Sequence, residues 1–173
     1  MENIQLQNIL HALVKNKFSK VFSKGQFIHF KLNTFYVYNT ETPPQSGHFI
    51  VLFIQPNLVQ IFDSLGKNDY EGFENHFPCH TKFVYLNNKK IQGDFSAVCS
   101  LYCIYVIFKK VQGTSFKQIL HNFHNNSPDV NDSLIYSWYI KNPFFSKYKQ
   151  ISFLDSKSIK NIIKKICKNS FYQ

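Results

Sequence analysis

Cys99, His48, Asp63 and Gln92 are the residues of this chain whose types and order could carry covalent chemistry. Cys99 ends the run Gln92-Gly93-Asp94-Phe95-Ser96-Ala97-Val98, a polar turn with a glycine that leads into the apolar stretch ending at Phe108. The pattern predicts a helix from about Ser96 to Lys110 with the cysteine in its first turn. There the free N–H groups and the positive end of the helix dipole favour thiolate over thiol. A cysteine taken alone is more often core filling, so nucleophilic chemistry also requires a base and a carboxylate that orients it.

Both are present upstream. Ser46-Gly47-His48 opens the run 49–54, and after Gln55-Pro56-Asn57 a second run, 58–62, closes on Asp63-Ser64-Leu65-Gly66. Two β-rich runs joined by a Pro-Asn turn predict an antiparallel hairpin. In that hairpin the start of the first strand and the end of the second fall at the same edge, which brings His48 beside Asp63. An imidazole that takes a proton from a thiol needs its other ring nitrogen held by an acceptor, and Asp63 supplies one. Gln92, on the approach to Cys99, can add its side-chain amide to the backbone N–H of Cys99 as two donors for an oxyanion.

The order His, Asp, Gln, Cys, with Asn39-Thr40, Gly47-His48-Phe49, Phe62-Asp63-Ser64-Leu65-Gly66, Gln92-Gly93 and Ser96-Ala97-Val98-Cys99 followed by Cys103, resembles adenain, the adenovirus maturation protease family. Within the wider Ulp1-like clan it is similar to the shorter adenain-like cysteine proteases of virophages and Polinton/Maverick elements, over roughly residues 4 to 140. The resemblance implies Cys99 as nucleophile, His48 as general base and then acid, Asp63 as the orienting carboxylate and Gln92 as oxyanion donor. It further implies an α+β, papain-like/Ulp1-like fold in which a central helix carrying the nucleophile packs on a mostly antiparallel sheet. Capsid and other virion precursor proteins are the implied substrates, the virion and the host cell interior the implied location, and DNA an implied activator. Two residues depart from the family pattern: Phe49 stands where Trp follows the histidine, and Ser100 where Gly follows the cysteine. The cysteine that tethers the family's activating peptide aligns with Phe83, so no tether is implied, and Cys79 is no obvious substitute.

These residues need elements to hold them. Ile4, Ile9, Leu10, Leu13 and Val14 have helical spacing; strands are predicted at about 35–38, 48–54, 58–63 and 82–86. Beyond the cysteine helix, Thr114 or Ser115 can cap a helix containing Phe116, Ile119, Leu120 and Phe123, and a further helix is predicted over 134–140. A chain of 173 residues, 44% hydrophobic, is long enough for one well-buried core and is expected to form a single cysteine protease domain, with a basic extension from about 141 packed on it. Its four cysteines show no disulfide-framework spacing, the opening Met-Glu-Asn-Ile lacks signal-peptide regions, and the longest apolar run, 97–108, is too short for a bilayer. Reduced thiols in a cytosolic or nuclear setting, no membrane partner and a monomer are expected.

Two further features compete for attention. His76, Cys79 and His80, or His121 with His124, offer zinc-ligand types, but their spacing matches no common zinc signature and no metal is expected. The net charge of +10 comes from 20 lysines without a single arginine, and AT-rich coding alone would favour lysine. The lysines nevertheless crowd the end of the chain, where Ile159, Ile162, Ile163 and Ile166 have the spacing of one helix face and Lys157, Lys160, Lys164 and Lys165 fall largely elsewhere. Such a face suits phosphate contacts without base reading, so non-specific nucleic-acid binding is expected there. Three functions are thereby open: an endopeptidase that matures virion precursors, a Ulp1-like isopeptidase acting on ubiquitin-like modifiers, or a catalytically degenerate, basic nucleic-acid-binding virion protein.

Overall fold

The structure, a computed structural model, describes residues 3–148 apart from 43, 44, 46, 69, 71, 72, 95 and 124–126. The chain opens with helix α1 (Asn3–Val14) and continues through strands β1 (Phe18–Ser23), β2 (Thr34–Asn39), β3 (Phe49–Gln55), β4 (Leu58–Phe62) and β5 (Lys82–Tyr85). Helices α2 (Cys99–Val111), α3 (Phe116–His121) and α4 (Pro128–Lys141) follow. The strands lie side by side in chain order, giving the expected α+β class.

The predicted hairpin is the centre of this sheet. Gln55 pairs with Leu58, so Pro56 and Asn57 alone make the turn. Proline presets a negative φ, and Asn57 takes φ +54, a left-handed value that asparagine tolerates better than most residues. The three central strands, β2 to β4, are antiparallel as expected; β1 and β5 join them in parallel. The edges differ because the connections 24–33 and 63–81 carry the chain back to the end of the sheet it came from, which parallel pairing requires.

Both faces of the sheet are covered. On β2 and β3, Phe35, Val37, Phe49 and Val51 point to the helices, while Tyr36, Tyr38, Ile50 and Leu52 point to an aromatic layer that includes Phe30, Phe73 and Phe77. Burial on both sides is why the β3 sequence is apolar without alternation. On the helical side α2 is buried over its first nine residues, Cys99 to Ile107. A helix that is apolar all round belongs in the interior, and α2 packs against the sheet, α1, α3 and α4.

Three elements depart from expectation. Strand β1 was not predicted, because an irregularity between Phe18 and Val21 shifts its register against β2 and breaks the period-two pattern. Helix α2 starts at Cys99 rather than Ser96. Helix α4 starts at Pro128, well before 134, since proline fits the first helical position, where no N–H is needed. The Ser115 cap is as predicted, with a capping box to Gln118. Phe145 beyond α4 is fully buried and stacks on Tyr139 at 4.6 Å. The lysine-rich segment with Lys157, Lys160, Lys164 and Lys165 lies outside the described residues. No helix among the described residues is long and apolar enough to cross a membrane.

Candidate active site

Register within the sheet puts His48 and Asp63 together. His48 immediately precedes β3 and Asp63 immediately follows β4, and Val51 pairs with Phe62, so the two side chains emerge at the same end of the hairpin. His48 Nε2 meets Asp63 Oδ1 at 2.5 Å. Thr40 fixes the histidine backbone from the neighbouring strand: its Oγ1 accepts from the His48 N–H at 3.0 Å, and its own N–H donates to the His48 carbonyl at 2.9 Å.

With Nε2 committed to Asp63, Nδ1 is the ring nitrogen left for the cysteine. Cys99 and His48 are hydrogen-bonded side chain to side chain, and backbone N–H groups of Phe49 and Ser100 also support the sulfur. The charges follow from these contacts. Burial by itself would lower the pKa of the His48 imidazole, but its bonds to Asp63 and Cys99 outweigh that and raise it to about 9. Burial by itself would push the Cys99 thiol up, but the His48 hydrogen bond and charge hold it below its ordinary value. Asp63 is held low in the same way, against burial, by His48 and by donors from Tyr70 and Leu65. Both shifts run in the direction that favours thiolate and imidazolium over the neutral pair.

Cys99 is the first residue of α2, and Val98 before it provides no side-chain cap. A first-position amide has no acceptor within its own helix. Gln92 stands beside it, 3% exposed, with its Oε1 accepting from Ser64 Oγ at 2.6 Å and its Nε2 donating to the Ser96 carbonyl at 2.6 Å. That last bond is why the helix begins late, since it holds Ser96 in the loop. An amide nitrogen carries two hydrogens, so one N–H of Gln92 remains beyond Ser96.

All four residues singled out in the sequence thus meet around one site, with His48, Gln92 and Cys99 lining an open cavity of about 900 Å³. It extends past Leu65 to Asn3, Ile4 and Gln7 on α1 and to Lys20 on β1. The sequence did not single out the groups that hold Asp63. Tyr70 donates to its Oδ2 at 2.5 Å, the N–H groups of Leu65 and Lys67 donate at 2.8 and 2.7 Å, and Asn87 Nδ2 donates to its carbonyl. In the turn that presents the Leu65 and Lys67 amides, Gly66 carried the visible signal. It has φ +66, and a Cβ there would come within 2.5 Å of the Lys89 carbonyl carbon, so the turn after Asp63 needs glycine twice over.

The other sequence candidates lie elsewhere. His76 meets Phe22 and Tyr38 edge-on, and His80 Nε2 contacts Asn57 at 3.0 Å. Cys79 is exposed, Phe83 packs against Phe73 and Phe77, and His124 lies outside the described residues. Among the described residues no group of three or more metal-ligating side chains gathers.

No family model matches the sequence, and no curated protein matches it. Among solved structures the chain is similar to two crystal structures of ASFV pS273R protease, one of them of the selenomethionine protein. The selenomethionine form is 13% identical, with a TM-score of 0.47 over 80% of this chain. The other is 12% identical, with a TM-score of 0.48 over 79% of this chain. The chain spans 65% and 64% of their lengths. A likeness at this level leaves the chemistry to the side chains just described.

Proposed function

We propose that this protein is a cysteine endopeptidase whose substrates are virion precursor proteins. The observation that carries the enzymatic half of the reading is the chain of contacts Asp63–His48–Cys99 at the head of α2, with thiolate favoured at one end and imidazolium in the middle. The choice of substrate rests on the resemblance of the motifs to adenain-like proteases. In the first half-reaction the Cys99 thiolate attacks the scissile carbonyl carbon, and the carbonyl oxygen becomes an oxyanion received by the Cys99 N–H and the remaining Gln92 N–H. The intermediate collapses to a thioester as His48 passes its Nδ1 proton to the departing amine. Water then attacks the thioester, His48 takes a proton from it, and collapse of the second intermediate returns acid product, thiolate and imidazolium. Asp63 keeps one tautomer and orientation of the ring throughout.

The direct test incubates the purified chain with the capsid precursor encoded beside its gene. Defined cleavage that disappears with Cys99→Ala supports the reading; intact precursor alongside release of a ubiquitin-like modifier from a conjugate would replace it with the isopeptidase. Gln92→Ala is expected to lower kcat by roughly 10²–10³-fold with little change in KM, the usual loss for one oxyanion donor, as measured by steady-state kinetics on a peptide spanning the cleaved junction. A kinetically silent Gln92→Ala would remove the oxyanion role while leaving the triad.

DNA stimulation belongs to the same reading and rests on the lysines of the C-terminal segment. Each lysine–phosphate contact contributes about 0.9 to the log–log salt slope on duplex DNA. Replacing Lys157, Lys160, Lys164 and Lys165 by glutamine is expected to flatten that slope, weaken binding to unrelated DNA sequences alike and reduce DNA stimulation, while cleavage of a short peptide is unaffected. Salt titration of binding for both proteins checks this, and indistinguishable slopes would leave those lysines without a role.

A further inference from the structure

Gln92 is held from a direction the catalytic chemistry does not use. The backbone on either side of it is gripped by two consecutive residues of α4: Asn131 Nδ2 donates to the Ile91 carbonyl at 3.0 Å, and the Gly93 N–H donates to Asp132 Oδ2 at 3.0 Å. Both side chains are buried, Asp132 at 3% exposure. The second oxygen of Asp132 accepts from the Tyr102 hydroxyl at 2.9 Å, and Tyr102 sits in α2 one turn after Cys99. Asp132 thus ties the loop that carries Gln92 to the helix that carries the nucleophile. The close approach requires Gly93, because a Cβ there would lie 2.8 Å from Asp132 Oδ2. On the other side the Ser64 carbonyl receives the N–H groups of Ile91 and Gln92 at 2.9 and 3.0 Å.

We propose that Asp132 is a positioning residue, which fixes the Gln92 amide relative to Cys99 and thereby sets the strength of the oxyanion site. This rests on the endopeptidase reading above. A carboxylate held by neutral donors, the Gly93 N–H and the Tyr102 hydroxyl, is costly to bury, and here burial, with Asp129 adding to it, pushes its pKa up. What it offers in return is two acceptor oxygens for two converging donors. Asparagine would keep both ends, because its amide can donate to the Tyr102 hydroxyl while that hydroxyl donates to the Ile91 carbonyl at 3.0 Å. Asp132→Leu fills the same space without an acceptor and so releases the Gly93 N–H and the tie to Tyr102.

The experiment is a double-mutant cycle in the full chain between Asp132→Leu and Gln92→Ala, read by kinetics on the junction peptide and by the rate of Cys99 alkylation with iodoacetamide. Asp132→Leu is expected to lower kcat about 10- to 100-fold, approaching the roughly 10²-fold that a 1 Å displacement of a catalytic group can cost. KM and the alkylation rate should stay within about twofold, and in the Gln92→Ala background the further loss should also be under about twofold, because the two residues act through one another. Equal losses in both backgrounds, or alkylation falling together with kcat, would mean that Asp132 only supports the fold. If Asp132→Leu does not fold, Asn131→Ala, which takes the Asn131 donor from the Ile91 carbonyl, runs the same cycle with a smaller kcat loss that likewise vanishes without Gln92; a loss that persists overturns the proposal. A wild type without Cys99-dependent cleavage sinks the endopeptidase reading itself, whereas a wild type that cleaves, with additive losses, sinks only the positioning role.

Discussion

Cys99→Ala is expected to abolish cleavage and to leave the fold intact. The covalent thioester has no route without the sulfur, and replacing a side chain that is only 9% exposed by one atom less creates no cavity a water could enter. Thermal melts should therefore be close for the two proteins while turnover drops to background. Iodoacetamide should label Cys99 ahead of the other three thiols. Cys103 is fully buried, is pushed well above the ordinary thiol range and donates to the Phe49 carbonyl, so it is a core residue. Cys79 is exposed, which makes it the informative control: labelling of Cys99 before Cys79 reports thiolate rather than access. Mass spectrometry of partially alkylated protein decides it, and cleavage surviving in Cys99→Ala would end the reading.

The second large effect belongs to His48. Removing it takes away both the proton donor for the leaving amine and the charge that favours the Cys99 thiolate, leaving burial, which pushes the thiol up, opposed only by the Phe49 and Ser100 N–H groups. His48→Ala is expected to cost about 10⁴-fold in kcat/KM, comparable to losing the nucleophile, because the two act as one unit. The direction of the shifts also sets the pH profile. Activity should rise as Cys99 loses its proton, at a pH below the ordinary thiol range, and fall as the imidazolium loses its own near pH 9. Stopped-flow kcat/KM from pH 5 to 10 checks this; an alkaline limb near pH 6.5 would mean that Asp63 and Cys99 do not hold the proton on His48. Asp63→Ala should cost less in catalysis than His48→Ala but more in stability, since it leaves the Leu65 and Lys67 N–H groups and the Tyr70 hydroxyl without their acceptor.

Much of this site was legible in the linear order of residues. The Pro56-Asn57 turn and the flanking apolar runs determine a hairpin, and a hairpin of that length must return Asp63 to His48. Gly93 and the polar turn before Cys99 determine that a helix starts near the cysteine. These are local signals, each carried by neighbours within a few residues. Strand β1 was not legible, because its bulge breaks the alternation that marks a strand, and the first turn of α4 was hidden by a proline that usually signals a loop.

What the sequence by itself determined is the α+β class, the hairpin and the four residues of the site, three of which line the cavity. What only the tertiary structure decided is how those residues are held. That Cys99 is the very first residue of its helix depends on the Gln92 side chain taking the Ser96 carbonyl. That the edge strands run parallel depends on where the connections 24–33 and 63–81 lead. That Asp63 is locked by Tyr70 and Asn87, and Gln92 by Ser64, Asn131 and Asp132, depends on contacts between residues up to 40 positions apart. Such contacts leave no periodicity and no spacing in the sequence, because a hydrogen bond across the core constrains only two residues at a time, and each of them reads in isolation as an ordinary loop or helix residue.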